Sequence, residues 1–301
     1  MIKRMATLLG VILFVIGKVQ AHDFVQNGIF YNIIPNTKTV EVTYGDKAYF
    51  TKPASYYFDF YRAGVTIPSS VVYKNVTYKV TAIGNNAFDA EKTEYFEMLS
   101  KAVLPNTITS IGIAAFYKCH SLLQVNIPAT VKELGDGAFG RCSALAALIV
   151  PEGVNMMGEG VFHECRQLSK VKLPESLTVI PANSFRECYQ LTAIKLPATL
   201  TVIGESAFKQ TGLKAITIPA AVKQIGEHAF DFCYSLKQIT VQWETPLYIP
   251  ADWKELGYFK DYPFYETPLK DVTLNVPKGT KELYQKAYVW KECGVITAAD
   301  F

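Results

Sequence analysis

Residues 134–142 read LGDGAFGRC, and the phrase returns along the chain at a nearly fixed interval. Its copies end at Cys119, Cys142, Cys165, Cys188, Thr211 and Cys233, so the interval is constant until the last step, which is one position shorter. An earlier copy, IGNNAFDA, carries Phe88 and makes seven units. Since a catalytic nucleophile is not copied at every repeat, the pattern predicts that these cysteines are buried core residues.

The second half of each unit is equally regular, as in LTAIKLPATLTVIG at residues 191–204. Alternating apolar positions indicate a short, half-buried strand. The proline ends that strand, because it cannot donate a further ladder hydrogen bond. A second extended piece, such as residues 131–134, closes on a glycine that implies either a positive φ or no room for a Cβ. Pro181 replaces this glycine once, so we expect that unit to turn its corner differently.

One phenylalanine follows each of these corners, within a segment that we expect to form one helical turn. These residues are Phe88, Phe116, Phe139, Phe162, Phe185, Phe208 and Phe230. A unit this short cannot bury its own apolar face, so the units must stack on one another. Stacking would bring the phenylalanines into one buried file.

The repeated phrases resemble the BspA-like bacterial branch of the leucine-rich repeat proteins, over residues 81–241. The resemblance implies an α/β repeat solenoid, a right-handed coil with one short parallel strand and one helical turn per unit of roughly 23 residues. The asparagine that many leucine-rich repeats place after the strand is missing here. An asparagine ladder is therefore not expected.

The regions outside the repeats predict a leader and two caps. Residues 1–21 combine Lys3 and Arg4 with a short apolar run and small residues at the end, which is typical of a secretory signal peptide. Residues 22–80 contain two hairpin-like stretches and predict an N-terminal β cap that pairs with the first coil. Residues 242–301 predict an aromatic-rich loop, one last strand and a closing helix. The aromatic stretch at residues 49–61 is either a sugar-stacking platform or the packed underside of the first cap.

Composition and motifs argue against several function classes. The chain is 50% hydrophobic with a net charge of +3, which is too small a basic excess to favour nucleic acid. After residue 21 no apolar stretch is long enough to span a membrane. The sequence carries no recognisable catalytic, cofactor or metal-binding motif, so we expect no enzyme activity, no cofactor and no metal. A disulfide between neighbouring coils stays open, since export would place the cysteines in an oxidising compartment.

The outward-facing side chains of the strands are the first candidate binding surface. They include six lysines and no acid, and the residues we select are Lys101, Gln124, Asn126, Lys170, Lys172, Lys195, Lys214 and Lys237. Such a face would attract an acidic protein segment or an anionic glycan. Alternatively, the lysines only keep exposed strands soluble and discourage edge pairing.

A second candidate surface is the loop at residues 245–267, because long loops in compact folds are often functional. From its aromatic residues we select Trp253, Tyr258, Phe259 and Tyr262 as a second candidate contact site. The family resemblance implies an exported, non-enzymatic module that acts in adhesion or protein binding at the cell surface, in the medium or in the periplasm. Its partner would then be an extracellular or host protein. The alternative is a glycan-binding accessory protein that uses the aromatic loops.

Overall fold

A computed structural model describes residues 22–45, 52–249 and 262–300. The described chain forms a stack of short coils, with a β-rich cap before it and a strand–helix–strand cap after it. The strands before the repeats are β1 (Phe24–Gln26), β2 (Ile29–Ile33), β3 (Thr39–Thr43), β4 (Val65–Thr66), β5 (Ser70–Tyr73) and β6 (Val76–Ile83).

The N-terminal cap contains the two predicted hairpins. Strands β2 and β3 pair antiparallel, as do β5 and β6, and the second hairpin turns through Lys74 and Asn75 with positive φ at both. This conformation matches the twist of a two-residue hairpin. Strand β3 then lies parallel to β6, and Ala82 and Ile83 at the end of β6 pair with the first coil. The sheet of the cap therefore continues into the solenoid.

One helix of this cap, α1 (Ala54–Ala63), was not predicted. It buries Tyr57 and Tyr61, and its aromatic face packs against a 3-10 helix at Glu94–Met98. Tyr56, by contrast, is exposed. The described part of the aromatic stretch thus supplies both core and surface.

Most coils contribute one strand to each of two columns. The column that follows the cysteines contains β7 (Lys101–Val103), β9 (Gln124–Val125), β11 (Ala147–Ile149), β13 (Lys170–Lys172), β16 (Ala215–Ile218) and β18 (Gln238–Val241). The column that follows the prolines contains β8 (Ser110–Ile111), β10 (Glu133–Leu134), β12 (Met156–Met157), β14 (Val179–Ile180), β15 (Val202–Ile203) and β17 (Gln224–Ile225). All pairings within both columns are parallel, which confirms the predicted repeat of short parallel strands.

The segment around each phenylalanine is a run of turns, so the expected helical turn is wrong. Two residues per unit have left-handed backbones, for example Ala114 and Lys118, and this conformation cannot continue a right-handed helix. Alternate amides bond across to the next coil: Phe116 N donates to Ala138 O at 2.8 Å, and Lys118 N to Gly140 O at 2.9 Å. The turns therefore hold neighbouring coils together, as a sheet would.

The predicted file of phenylalanines is present and longer than expected. The seven rings stack nearly parallel, with centroids 5.2–5.9 Å apart, and Phe264 adds an eighth ring 5.2 Å from Phe230. Phe96 closes one end of the file edge-on, and Trp290 closes the other. Each ring removes roughly 150–250 Å² from water, so the file is a major part of the core.

The repeated glycine after the second strand is required because a Cβ would not fit there. Gly135 does not have a positive φ, and a Cβ there would lie 2.5 Å from Ile113 N. Pro181 takes the same place in its coil, and its ring nitrogen cannot donate the hydrogen bond that Gly204 N gives to Ile180 O. The column of strands is interrupted there, between β12 and β14. This confirms that the unit turns its corner differently.

The C-terminal cap begins with the predicted strand and helix. They are β19 (Thr273–Pro277) and α2 (Lys281–Lys286), preceded by a 3-10 helix at Leu269–Asp271. A further 3-10 helix at Trp290–Glu292 and a strand, β20 (Val295–Ala299), were not predicted. Strand β19 pairs in parallel with β18 and β20, so the cap extends the column that follows the cysteines.

Candidate functional site: the groove on the strand face

A groove of about 1520 Å³ runs along the outward side of the column that follows the cysteines. We call it the strand-face groove, and its lining includes Gln124, Asn126, Ala129, Ala147, Ile149, Lys170, Lys172, Glu175, Ala193, Ile194, Lys195 and Thr217. The floor is largely apolar, and Ile149 in it keeps 64% of its surface exposed. Ala147 and Ala193 are exposed in the same groove, and a contiguous exposed apolar patch is a recognised sign of an interaction surface.

The lysines predicted from the sequence divide into two groups. Lys170, Lys172 and Lys195 lie in the strand-face groove, together with Gln124 and Asn126. The remaining lysines, Lys101, Lys214 and Lys237, are exposed at either end of the same column and do not line the groove.

Acidic side chains reach this face from the turns after the strands. The Lys195 ammonium lies 2.6 Å from a Glu175 carboxylate oxygen, and Lys172 lies 3.5 Å from Glu152. The strands themselves carry no acid, as expected, but the face is therefore less positive than its strand residues imply. Both pairs are solvent-exposed, and such pairs are typically worth less than about 1 kcal/mol. A partner carboxylate can therefore compete for these lysines.

Lys170 is the lysine in the groove that has no such partner. Within the described residues it forms no ion pair, and its side chain is exposed. Unlike Lys170, Asn126 already has hydrogen-bond partners: its amide donates to Leu104 O and accepts from Leu104 N, both at 2.8 Å. Its polar atoms thus join two coils, a role that sequence alone did not indicate.

The backbone ladder under the groove is interrupted between β9 and β11 and again at the fifth coil. Residues 192–196 form no strand, and no backbone hydrogen bond joins them to β13. Val171 and Ile194 occupy the inward-facing positions on the two sides of this gap. They are only half-buried, whereas Ile216 and Ile239, at the same position in later coils, are 2% and 0% exposed. The gap therefore opens the groove toward the apolar core.

The cysteines are core residues and do not line the groove. All six lie within the described ranges, are buried and form no disulfide. The Sγ of Cys142 lies 3.1 Å from Phe116 O in the preceding coil, and four further repeat cysteines make the same contact. Burial raises the pKa of Cys165 to about 12, which suppresses the thiolate that a nucleophile needs.

Charged groups in the turns around the phenylalanines pair with one another. Burial alone would raise the pKa of Glu164, but Arg141, whose guanidinium lies 2.8 Å from it, holds that pKa below its usual value. Asp231 is fully buried and contacts His228. Among the residues described, no cluster of three His, Cys, Asp or Glu side chains could hold a metal ion.

The second candidate surface falls mostly outside the described residues. Trp253, Tyr258 and Phe259 are not described. Tyr262 is half-buried against the core, and its ring contacts Tyr265 edge-on with centroids 6.3 Å apart. The proposed contact role of this loop therefore stays a prediction.

Comparison with known proteins agrees with the geometry. The profile for the BspA-type leucine-rich repeat region, in six copies, matches residues 81–211 and 155–295. A leucine-rich cell surface protein from Faecalibacterium prausnitzii is 32% identical, with a TM-score of 0.61. The alignment covers 72% of this chain and 54% of that protein, so this chain matches about half of its length.

Two further solved structures share the fold. A leucine-rich repeat protein from Bacteroides ovatus is 22% identical with a TM-score of 0.51, covering 92% of this chain and 77% of that one. The T. pallidum leucine-rich repeat protein is 21% identical with a TM-score of 0.52, covering 79% and 96%. Among curated proteins, none matches significantly. In the described ranges, no helix has the length and apolarity needed to cross a bilayer.

The stacked coils, the phenylalanine file and the matched repeats lead to one conclusion. This chain belongs to the BspA-type leucine-rich repeat proteins.

Proposed function

We propose that this protein is an exported, non-enzymatic module that binds an acidic protein partner in the strand-face groove. The observation that carries the proposal is the groove itself, which combines an apolar floor with three lysines and one glutamate among its lining residues. An apolar floor supplies binding energy, and the excess of positive charge selects the sign of the partner. A repeat scaffold presents such a face without needing a catalytic pocket.

Export is supported by two observations. The first is the basic, apolar and small-residue order of residues 1–21, which is typical of a cleaved signal peptide. The second is the likeness to the F. prausnitzii protein described as a cell surface protein. We therefore place the working protein at the cell surface, in the medium or in the periplasm.

The test is affinity capture from an extracellular protein extract, with three baits. They are the unmodified protein, the double variant Lys170→Glu and Lys195→Glu, and the control Lys223→Glu, which reverses an exposed lysine outside the groove. We expect an acidic protein that the unmodified and control baits retain and the double variant loses at least 10-fold. Thermal unfolding must show that all three baits are folded.

Two results would count against this function. One is a set of captured proteins that is the same for all three baits. The other is capture that responds to Lys223→Glu as strongly as to the groove variant, because that would place the binding surface elsewhere.

A further inference from the structure

The gap beneath the groove at the fifth coil combines a break in backbone pairing with inward-facing side chains that are only half-buried. Strand β13 makes its hydrogen bonds to β11, and Lys214 N donates to Thr192 O at 3.0 Å, but nothing in the backbone joins β13 to residues 192–196. The two inward-facing side chains beside the gap, Val171 and Ile194, are half-buried. The column is also unpaired between β9 and β11, but there the inward-facing Val125 and Leu148 are 8% and 5% exposed, so that break does not uncover the core.

The local sequence gives a physical reason for the opening. Lys172 and Lys195 occupy the same position in consecutive coils, one repeat apart, so two like charges face each other across the gap. Like charges directly opposite on adjacent strands destabilise the pairing. Each ammonium is drawn instead to a glutamate from a turn, Lys172 to Glu152 and Lys195 to Glu175.

The small side chain of Ala193 does not cover the gap on the side that faces the groove. It is an exposed, small residue that lines the groove next to Ile194. Lys170 occupies the equivalent position in the preceding coil and has no ion pair within the described part of the chain. The apolar opening and the ammonium of Lys170 therefore lie next to each other.

We infer that this gap anchors one aliphatic side chain of an extended acidic segment of the partner, with a neighbouring carboxylate on Lys170. The inference rests on the proposed function and specifies its ligand. Burying an aliphatic side chain such as leucine against Val171 and Ile194 supplies affinity, because it removes apolar surface from water. The carboxylate fixes which side chain of the segment enters the gap.

The experiment selects displayed random heptapeptides on the immobilised, purified protein. We expect the enriched peptides to share one Leu, Ile, Val or Met, with an Asp or Glu within two positions of it. One enriched peptide is then synthesised together with a version in which that aliphatic residue is replaced by alanine. Affinities are measured by fluorescence anisotropy at fixed salt.

Two matched protein variants locate the anchor. Ala193→Trp covers the gap, and Ala215→Trp adds the same bulk on an exposed residue that does not line the groove. We expect the alanine peptide and Ala193→Trp each to weaken binding at least 10-fold, and Ala215→Trp to leave it within 2-fold. The peptide substitution keeps the test valid if Ala193→Trp fails to fold.

The outcomes separate this inference from the function on which it rests. Peptides that need Lys170 but show no aliphatic preference, or that bind Ala193→Trp as well as the unmodified protein, overturn the anchor and leave the groove as a binding site. If no peptide is enriched whose binding Lys170→Glu weakens, both the anchor and the proposed function fail.

Discussion

The Sγ of Cys165 lies 3.1 Å from the main-chain oxygen of Phe139, one coil earlier in the stack. The same relationship joins Cys188 to Phe162 at 3.2 Å. A thiol is a weak donor and a small apolar group, so it satisfies a carbonyl without demanding space. The repeated cysteine is therefore a link between coils.

This role predicts that the thiols are unreactive in the folded protein. All six are buried, and burial raises the pKa of each, to about 12 for Cys165 and about 11 for Cys233. Ellman's reagent at pH 8 should label none of them within minutes, and all six after addition of guanidinium chloride. Rapid labelling of any repeat cysteine in the native protein would contradict the assignment.

The same pKa shifts predict loss of stability at alkaline pH. A free thiol ionises near pH 8.5–9 in the unfolded chain, whereas Cys165 does so at about 12 when folded. Between these values the folded state holds the extra proton, so the free energy of unfolding falls as pH rises. The contribution of Cys165 alone is on the order of 1 kcal/mol by pH 10.

Denaturant unfolding at pH 7.5, 9 and 10 measures this effect. The substitution Cys165→Ala should lower stability at pH 7.5 and reduce the drop between pH 7.5 and pH 10. Buried tyrosines whose pKa is also raised, such as Tyr61, add to the drop in both proteins. If the unmodified protein and Cys165→Ala lose the same free energy of unfolding between pH 7.5 and pH 10, this thiol does not titrate on unfolding.

The phenylalanine file predicts where stability is concentrated. Phe162 is fully buried between Phe139 and Phe185, with ring centroids at 5.9 and 5.5 Å. Phe162→Ala should lower the free energy of unfolding by about 3–5 kcal/mol. The control is Phe232→Ala, which removes a half-buried ring outside the file and should cost on the order of 1 kcal/mol. Urea unfolding followed by circular dichroism compares the two, and equal losses would argue against the file as the core.

The stacking of coils could be predicted because the same residue pattern repeats along the chain at a short, nearly constant interval. Phe264 was missed because it stands further from Phe230 than one repeat length and lacks the glycine that lies four residues before six of the seven other phenylalanines. A signal was nevertheless present: Phe264 is followed by Thr267, as Phe208 is followed by Thr211. Thr267 Oγ1 donates to Phe230 O at 2.5 Å, the bond that a cysteine makes in most units.

Two other features could not be predicted from the residues alone. The expected helical turn is absent because residues such as Lys118 and Glu187 adopt left-handed backbone conformations. Lysine and glutamate do not indicate such a conformation in a sequence. The gap beside Ile194 has a local cause in the like charges of Lys172 and Lys195, but the repeat pattern alone does not show that pairing is lost there. The lysines of the groove were predicted by alternation, but the glutamates that reach them come from the following turns.

The central claim, that the strand-face groove holds the partner, is tested most directly by lysine footprinting. The protein is labelled with an amine-reactive reagent, with and without the acidic partner that the unmodified bait retains, and peptides are quantified by mass spectrometry. The account predicts at least 3-fold protection of Lys170, Lys172 and Lys195, with no protection of Lys132 and Lys223, which lie outside the groove. Protection of Lys132 and Lys223 with the groove lysines still labelled would contradict it.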